Sequence, residues 1–514
     1  MIQNIITGFS QFLPTTYLLV LAGVVSGLVF GCVPGLSGST ALTLAIPLSL
    51  VLDPVSAFAL FMGIFIGGCS GGCISAILVG IPGTPSSLTT VFDGHTMAKN
   101  GQPGKALGTA IFFSFIGTLV SIVALFIIAE PLARIAVKLG PIELFAIILF
   151  ALSLISVLAG DDLVKGWVVA LFGVLLGMVG ISEVDGTARM TLGINKLTSG
   201  FSQTPALLGI FVVGSLFSAS LADKSKIGSA PVMNFKIKGL GFTLGEFKEQ
   251  IGNAIRSALI GLGIGVLPGI GGVTSNLVSY TVAKTVSKEP DKFGKGCMDG
   301  IVAPETANNA SIGGAMIPLL GLGIPGDGFT ALLLASFELH GFVAGPTLFV
   351  KNANFVYAIF AALLLGCVVN VIVEFIGLPA LVKTLKIPTN ILMPIIMVLV
   401  MVGCFCVHNR VFECWILLFF AVVAYLFKKF KFSTTPIVLG FVLGANAETY
   451  FRRGMMIYKN DLTCLFTKPV SCIFIILSVV GTILMLRQNK RSEEKLKDLS
   501  SVSDSSAEVE IDDD

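Results

Sequence analysis

The feature that most constrains this chain is the recurrence, along almost its whole length, of apolar runs long enough to cross the roughly 30 Å hydrocarbon core of a bilayer. A soluble fold has no interior able to bury so many of them. The charge content agrees: 12% of the 514 residues are Asp, Glu, Lys or Arg, about half of the roughly 25% usual in soluble domains. The mean hydropathy is +0.93. These runs lack the period-two alternation of membrane barrels, so backbone groups inside the bilayer have to be satisfied within helices. The expectation is an all-α polytopic membrane protein of roughly ten to twelve spanning or re-entrant segments. A cytoplasmic enzyme is excluded. The net charge of +3 is too small to call for nucleic acid, and Lys and Arg fall in short loops, where they report orientation in the lipid bilayer.

The N-terminal MIQNIITGFSQF has no basic residue ahead of the first apolar run, so that helix is expected to stay attached. At the other end, Arg487, Lys490 and Arg491 follow the apolar run 469–486, and a Ser/Asp/Glu-rich stretch continues to Asp514. This reads as a stop-transfer cluster and a disordered cytoplasmic tail, 487–514. The ten cysteines include Cys69 and Cys73, and Cys404 and Cys406, but form no CxxC. They read as small core hydrophobes, with no transition-metal site and no cofactor.

Two halves of the chain echo one another. GLVFGCVPG at 27–35 returns as GLGIGVLPG at 261–269, and GIPG at 80–83 returns at 323–326. Between each pair lie an acid-Pro dipeptide (Asp53-Pro54, then Glu289-Pro290) and a Gly pair (Gly71-Gly72, then Gly313-Gly314). Such ordered landmarks are the signature of an internal repeat. The expected organisation is a first half over 1–200, with a hairpin near 21–51 and a GIPG segment at 55–92. A connecting segment, 201–250, precedes a second half over 251–486, with a hairpin near 257–284 and a GIPG segment at 301–340. Charge gives the halves opposite hands: Lys284, Lys288, Lys292 and Lys295 crowd one loop whose counterpart at 52–55 has no Lys or Arg, whereas Lys99 and Lys105 follow the first GIPG. The positive-inside rule then assigns corresponding loops to opposite sides, an inverted-topology repeat.

Residues 257–284 have cytoplasmic-type charge on both flanks and Pro268-Gly269 near the middle. Two full crossings need about 40 residues, so the stretch reads as a re-entrant helical hairpin turning at Pro-Gly, and the repeat implies a second turning at Pro34-Gly35. Proline cannot continue the helical ladder, and glycine takes dihedrals that other residues avoid. Broken backbone at membrane depth persists only where protein or a watery cavity surrounds it, and half-helix ends there suit carboxylates and cations. The candidate substrate-binding residues are therefore Pro34, Gly35, Ser37, Ser39 and Thr40 at the first tip, Gly269, Thr274, Ser275 and Asn276 at the second, and Thr84, Ser86 and Ser87 after the first GIPG. APETANNAS at 303–311 adds Asn308 and Asn309, and places Glu305 on nearly the same helix face. A carboxylate near the bilayer centre costs about 2.5–3.5 kcal/mol on the lenient insertion scale, so Glu305 calls for a partner or a proton. Candidates for the coupling ion, with sodium the metal considered, are Gly35, Gly269, Glu305 and Asn308. Asp327, directly after the second GIPG, is a further binding candidate that could equally cap the next helix.

These residues resemble the large membrane subunit of the bacterial tripartite tricarboxylate transporters. The resemblance rests on PGLSGST at 34–40, IPGTPSSLTTVFDGHTMAKNGQPGKALG at 81–108, VLPGIGG at 266–272, KFGKGCMDGIVAPETANNASIGGAMIPLLGLGIPG at 292–326 and PIVLGFVLGANAETYFRR at 436–453. It implies a secondary transporter of the inner membrane that imports organic di- or tricarboxylates on a sodium or proton gradient. The partners it implies are a small four-helix membrane subunit and a periplasmic solute-binding protein. Asp327 departs from the small residue usual at its position, and the acidic tail is an addition. Glu448, Arg452 and Arg453 belong to the last motif, where a double Arg at a helix end also reads as an interfacial anchor.

Two other classes compete. A passive anion channel would line its pore with the same polar tips. An intramembrane serine protease would use the G-x-S-G pattern at 35–38, but needs a histidine base, and His95, His340 and His408 all read as loop or helix-end residues.

Overall fold

The computed structural model describes residues 2–154, 163–214, 237, 239–385 and 389–483. The tail 487–514 lies outside them. In chain order the helices are α1 (Ile2–Ser10), α2 (Pro14–Cys32), α3 (Gly38–Ser49), α4 (Pro54–Ser70), α5 (Gly72–Leu78), α6 (Thr96–Lys99), α7 (Pro103–Ala136), α8 (Pro141–Ser153), α9 (Leu163–Gly177) and α10 (Gln203–Leu208). Further along the chain come α11 (Leu244–Val266), α12 (Gly271–Val286), α13 (Asp299–Leu322), α14 (Gly328–Leu339), α15 (Pro346–Lys351), α16 (Ala353–Thr384), α17 (Thr389–His408), α18 (Val411–Lys429), α19 (Thr435–Ile457), α20 (Cys464–Thr467) and α21 (Pro469–Ile483). A single two-residue antiparallel pairing, Gly180–Ile181 with Ala188–Arg189, is the extent of β-structure among the described residues. The protein is an all-α polytopic membrane protein. Five helical stretches, Pro14–Cys32, Pro54–Leu78, Pro103–Ala136, Ala353–Thr384 and Val411–Lys429, are long and apolar enough to cross a membrane, and shorter apolar helices accompany them. Large apolar side chains such as Leu18, Ile127, Ile376 and Trp415 are exposed on their outer faces, as lipid contact allows.

The chain divides into two compact units. One comprises Met1–Leu139, Val179–Ser182 and Thr187–Thr434; the other comprises Gly140–Met178, Glu183–Gly186 and Thr435–Asp514. In the smaller unit, α9 packs on α19 by close backbone approach, with Gly173 against Ile437 and Gly440 against Ala170. Arg452 there bonds Asp185 at 2.7 Å and Glu448 at 3.2 Å, and Arg453 lies 3.5 Å from Glu183.

In the larger unit the helix breaks at both Pro-Gly pairs. Gly35 and Gly269 take φ of +88° and +80°, in the left-handed region that glycine enters without strain. The arms start further out than residues 21 and 257, at Pro14 and Leu244, because Pro14 sits at the first helical turn and Thr243 and Glu246 form a capping box. Packing is driven by small residues in the absence of a hydrophobic effect between lipid-embedded helices. Gly23, Gly27 and Gly31 of α2 lie against the backbone of α4, and Gly261 and Gly265 of α11 lie against Ala307 and Ser311 of α13. The long helix of each half then packs on the central helix of the other, α7 on α13 and α16 on α4.

Not every sequence landmark is equivalent. Asp53-Pro54 opens α4 directly, the Asp53 carboxylate accepting from Ser56 N at 3.0 Å. Glu289-Pro290 instead opens a short 3-10 turn, and α13 begins only at Asp299. Gly71-Gly72 separates α4 from α5, whereas Gly313-Gly314 lies inside the unbroken α13.

Candidate functional site

Each Pro-Gly tip is brought against the GIPG turn of its own half by the same contact. A Cβ on Gly83 would lie 2.3 Å from the Gly31 carbonyl oxygen, and one on Gly326 would lie 2.9 Å from that of Gly265. At the second tip the Gly269 N–H also donates to the Gly326 carbonyl at 2.8 Å. The two GIPG turns share a left-handed first glycine, Gly80 at φ +77° and Gly323 at φ +73°. Each GIPG turn thus packs on the arm of its own hairpin; the second tip is buried at Gly269, the condition for tolerating broken backbone at membrane depth, whereas Gly35 of the first is exposed.

The two halves join at α12 and α13. The Asn276 side-chain oxygen Oδ1 accepts from the Thr89 backbone N–H at 3.3 Å and from the Thr89 hydroxyl. The fully buried Glu305 accepts from Thr90 and, at 3.0 Å, from Ser114 of α7. Asn309 donates to the Glu305 carbonyl at 3.0 Å, while its own side-chain oxygen accepts from Ser70 at 3.3 Å and Thr118 at 3.5 Å. Asn308 donates to the Cys69 carbonyl at 3.2 Å. Two buried polar atoms of this cluster, Asn308 Oδ1 and Asn276 Nδ2, have no protein partner. A buried acceptor and donor left open in this way are capacity for a ligand or water.

The other predicted residues fall around this cluster. Thr84 and Ser86 bond each other at 3.2 Å, Ser87 donates to the Thr84 carbonyl at 2.9 Å, and Ser86 faces Gly272 next to Asn308. Ser275 donates to the carbonyls of Gly272, at 2.9 Å, and Ala307, at 3.3 Å. Thr274 is half-buried on α12. At the first tip, Pro34 is half-buried and Gly35 exposed, Ser37 and Thr40 bond each other at 3.4 Å, and Ser39 is half-buried. No hydrogen bond among the described residues joins those three hydroxyls to the Asn276–Asn308 cluster. Asp327 caps α14, its carboxylate accepting from Thr330 N at 2.8 Å and the Thr330 hydroxyl at 2.7 Å, and its Cβ lies beside Gly271 of the second tip.

Sequence reasoning gave no role to Asp93. Its fully buried carboxylate accepts from the backbone N–H groups of Gly294, Gly296 and Cys297 at 3.0, 2.8 and 2.9 Å, and from the Tyr280 hydroxyl at 2.9 Å. One acid after the first GIPG therefore holds the loop that follows the second hairpin. The available signal was the lone acid in VFDGH together with the glycine-spaced FGKGC run, a pattern that can present successive N–H groups to an anion.

Comparison with known proteins follows the same lines. Residues 17–439 match the model of the Tripartite tricarboxylate transporter TctA family. The chain is similar to a protein of Agrobacterium vitis described as an uncharacterized 52.8 kDa protein in the TAR-I ttuC' 3'region, at 34% identity over 424 residues, 82% of this chain and 83% of that one. A second Agrobacterium vitis protein, described as uncharacterized in the TAR-II ttuC' 3'region, is 35% identical over 233 residues, 45% of this chain and 95% of that one. No solved structure matches. With the family model spanning most of the described helices and a relative aligned over most of both chains, this membrane protein belongs to the tripartite tricarboxylate transporter TctA family.

Proposed function

We propose that the chain is the large membrane subunit of a gradient-driven carrier that imports an organic di- or tricarboxylate across the bacterial inner membrane. A periplasmic solute-binding protein delivers the substrate, and a small four-helix membrane subunit completes the carrier. The observation that carries this reading is the convergence of both halves on one buried polar cluster. Thr89 meets Asn276, Thr90 meets Glu305, and the open Asn308 Oδ1 and Asn276 Nδ2 remain free for a ligand.

The helix ends supply the anion chemistry. Neither α3 nor α12 has a side-chain cap at its N-terminus, so their first N–H groups and dipoles are available to carboxylate groups. The N-terminus of α14 differs, because Asp327 already occupies it. Asp327 therefore adds a negative charge beside the second tip, which favours a cation or a less highly charged carboxylate there. A coupling sodium ion would be carried by the carbonyls near Gly35 and Gly269 together with Glu305 and Asn308. The halves are related by inverted topology, and exchange of access follows from one helical bundle moving against the other. A protease is disfavoured because the histidines engage other groups: His95 the Ile77 carbonyl at 2.9 Å, His340 the Ser336 carbonyl at 2.9 Å, and His408 Glu413 at 3.2 Å.

The test is uptake by the chain reconstituted with its small subunit and binding protein, across a panel of di- and tricarboxylates under separate sodium and pH gradients. Saturable accumulation against a gradient is expected. Flux that only equilibrates the substrate would convert the carrier into a channel.

A further inference from the structure

Glu374 lies in the middle of α16, a long apolar helix, and is fully buried. Val369, Val373, Leu378 and Leu381 of the same helix pack into an apolar cluster with Cys32 and Cys73, and the titratable groups that interact with Glu374 are the buried Glu305, a second acid, and the thiols of Cys32, Cys73 and Cys367. No Lys, Arg or His among the described residues forms an ion pair with it. Of the helices packed on α16, α1 has no titratable side chain, α2 offers Tyr17 and Cys32, and α4 offers Cys69. On α7, Lys105 is paired with Glu246, and Arg134 with Glu130, which also accepts from Tyr357. Lys351 of α15 is exposed. An ionised carboxylate with no counter-charge in such surroundings is far costlier than a neutralised one.

The polar geometry says what would neutralise it. The Asn370 side-chain N–H donates to Glu374 Oε2 at 3.0 Å, while Glu374 Oε1 and Asn370 Oδ1, both buried, have no partner. One bond of an acid–amide pair is present, and the two atoms left open are both acceptors, which cannot bond one another while the acid is ionised. A proton on Oε1 supplies the donor that this pair of acceptors lacks. Ser70 lies beside the same carboxylate and donates to Asn309 at 3.3 Å, and Asn309 donates to the Glu305 carbonyl at 3.0 Å. A run of polar groups thus connects Glu374 to the proposed substrate cluster.

We propose that Glu374 and Asn370 form a proton-binding site and that this site carries the coupling proton, an assignment of the coupling step that rests on the carrier reading above. On loading, the Glu374 carboxylate takes a proton from hydronium, leaving water, and the Oε1–H supplies the donor that the pair with Asn370 lacks. On unloading, that O–H bond breaks and water accepts the proton.

The primary test does not need transport. Infrared difference spectra of the full chain in lipid nanodiscs, recorded between alkaline and neutral pH, are expected to contain the carbonyl stretch of a buried protonated acid. Glu374→Gln should abolish that band, Asn370→Leu should shift it, and Glu246→Gln should leave it in place. A band unchanged in Glu374→Gln overturns the proposal, as does loss of the band on adding sodium at constant pH, which would make this a sodium site. Gln, like the protonated acid, offers Asn370 both an acceptor and a donor, so this variant is expected to fold, and Glu374→Asp, which should move the band, serves as a second probe. In the reconstituted three-component system, Glu374→Gln should lose proton-driven carboxylate accumulation by at least tenfold while retaining substrate exchange. Accumulation at the wild-type level overturns the assignment. If the infrared result holds but the wild-type chain moves no carboxylate of the panel, the proton site stands and the carrier reading falls.

Discussion

Asn276 and Thr89, 187 residues apart, are joined twice: one side-chain oxygen on the second hairpin accepts from both the backbone N–H and the hydroxyl of Thr89. This pairing fixes the second hairpin against the segment that follows the first GIPG, and so ties the two halves at the cluster proposed to bind substrate. Leaving a buried donor without its acceptor costs about 1–3 kcal/mol. Asn276→Leu is therefore expected to lower initial-rate uptake by about tenfold or more at unchanged membrane abundance. Asn308→Leu, which removes the open acceptor, should do the same. Wild-type rates in both variants would remove this cluster from the transport path.

The Asp93 carboxylate satisfies three backbone N–H groups and the Tyr280 hydroxyl. Asp93→Ala strands all four donors, so the expected loss is about 3 kcal/mol or more. Tyr280→Phe removes a single bond to a charged acceptor and is expected to cost about 1.5–3 kcal/mol. Thermal unfolding of the purified protein in detergent should rank wild type, Tyr280→Phe and Asp93→Ala in falling order. Equal midpoints would mean that the loop is held by something else.

Close backbone approach at Gly83 leaves no room for a methyl group, since a Cβ there would lie 2.3 Å from the Gly31 oxygen, while Gly263 has nothing within 4 Å. Gly83→Ala should displace the first tip and lower uptake at least tenfold, with a stability loss of about 1–3 kcal/mol from overpacking. Gly263→Ala should leave both unchanged. Uptake and melting temperature measured on the pair decide the matter, and a harmless Gly83→Ala would contradict the tip–turn contact.

The proposed inverted topology makes a prediction about sidedness. In a chain cleared of its native cysteines, Leu52→Cys and Lys288→Cys should label from opposite faces of the membrane with an impermeant maleimide. Labelling from one face would leave two repeats of parallel hand.

How much could be foreseen depends on whether the cause is local. The helix breaks at Pro34-Gly35 and Pro268-Gly269 were legible because proline cannot donate to the ladder and glycine alone takes φ near +80° cheaply. The capping potential of Asp327 was visible for the same reason, since a cap is set by the next few residues. Ser37, Ser39 and Thr40 show the limit. Their chemistry matched that of Ser86, yet it is Ser86, bonded to Thr84, that lies beside Gly272 and Asn308.

Glu374 was open to detection as the one acid inside a 32-residue apolar helix, but its meaning was not, because its surroundings come from α2, α4 and α5. The sequence by itself determined the membrane-embedded helical class, the two sets of Pro-Gly and GIPG landmarks, and the residues able to break a helix, all of which follow from hydrophobicity and backbone chemistry within a few residues. Only the tertiary structure decided that Thr89 meets Asn276, that Asp93 grips the loop at Gly294–Cys297, and that Glu374 stands without a counter-ion. Those relationships depend on which helix faces are pressed together across nearly two hundred residues or more, a distance over which residue spacing carries no geometric information.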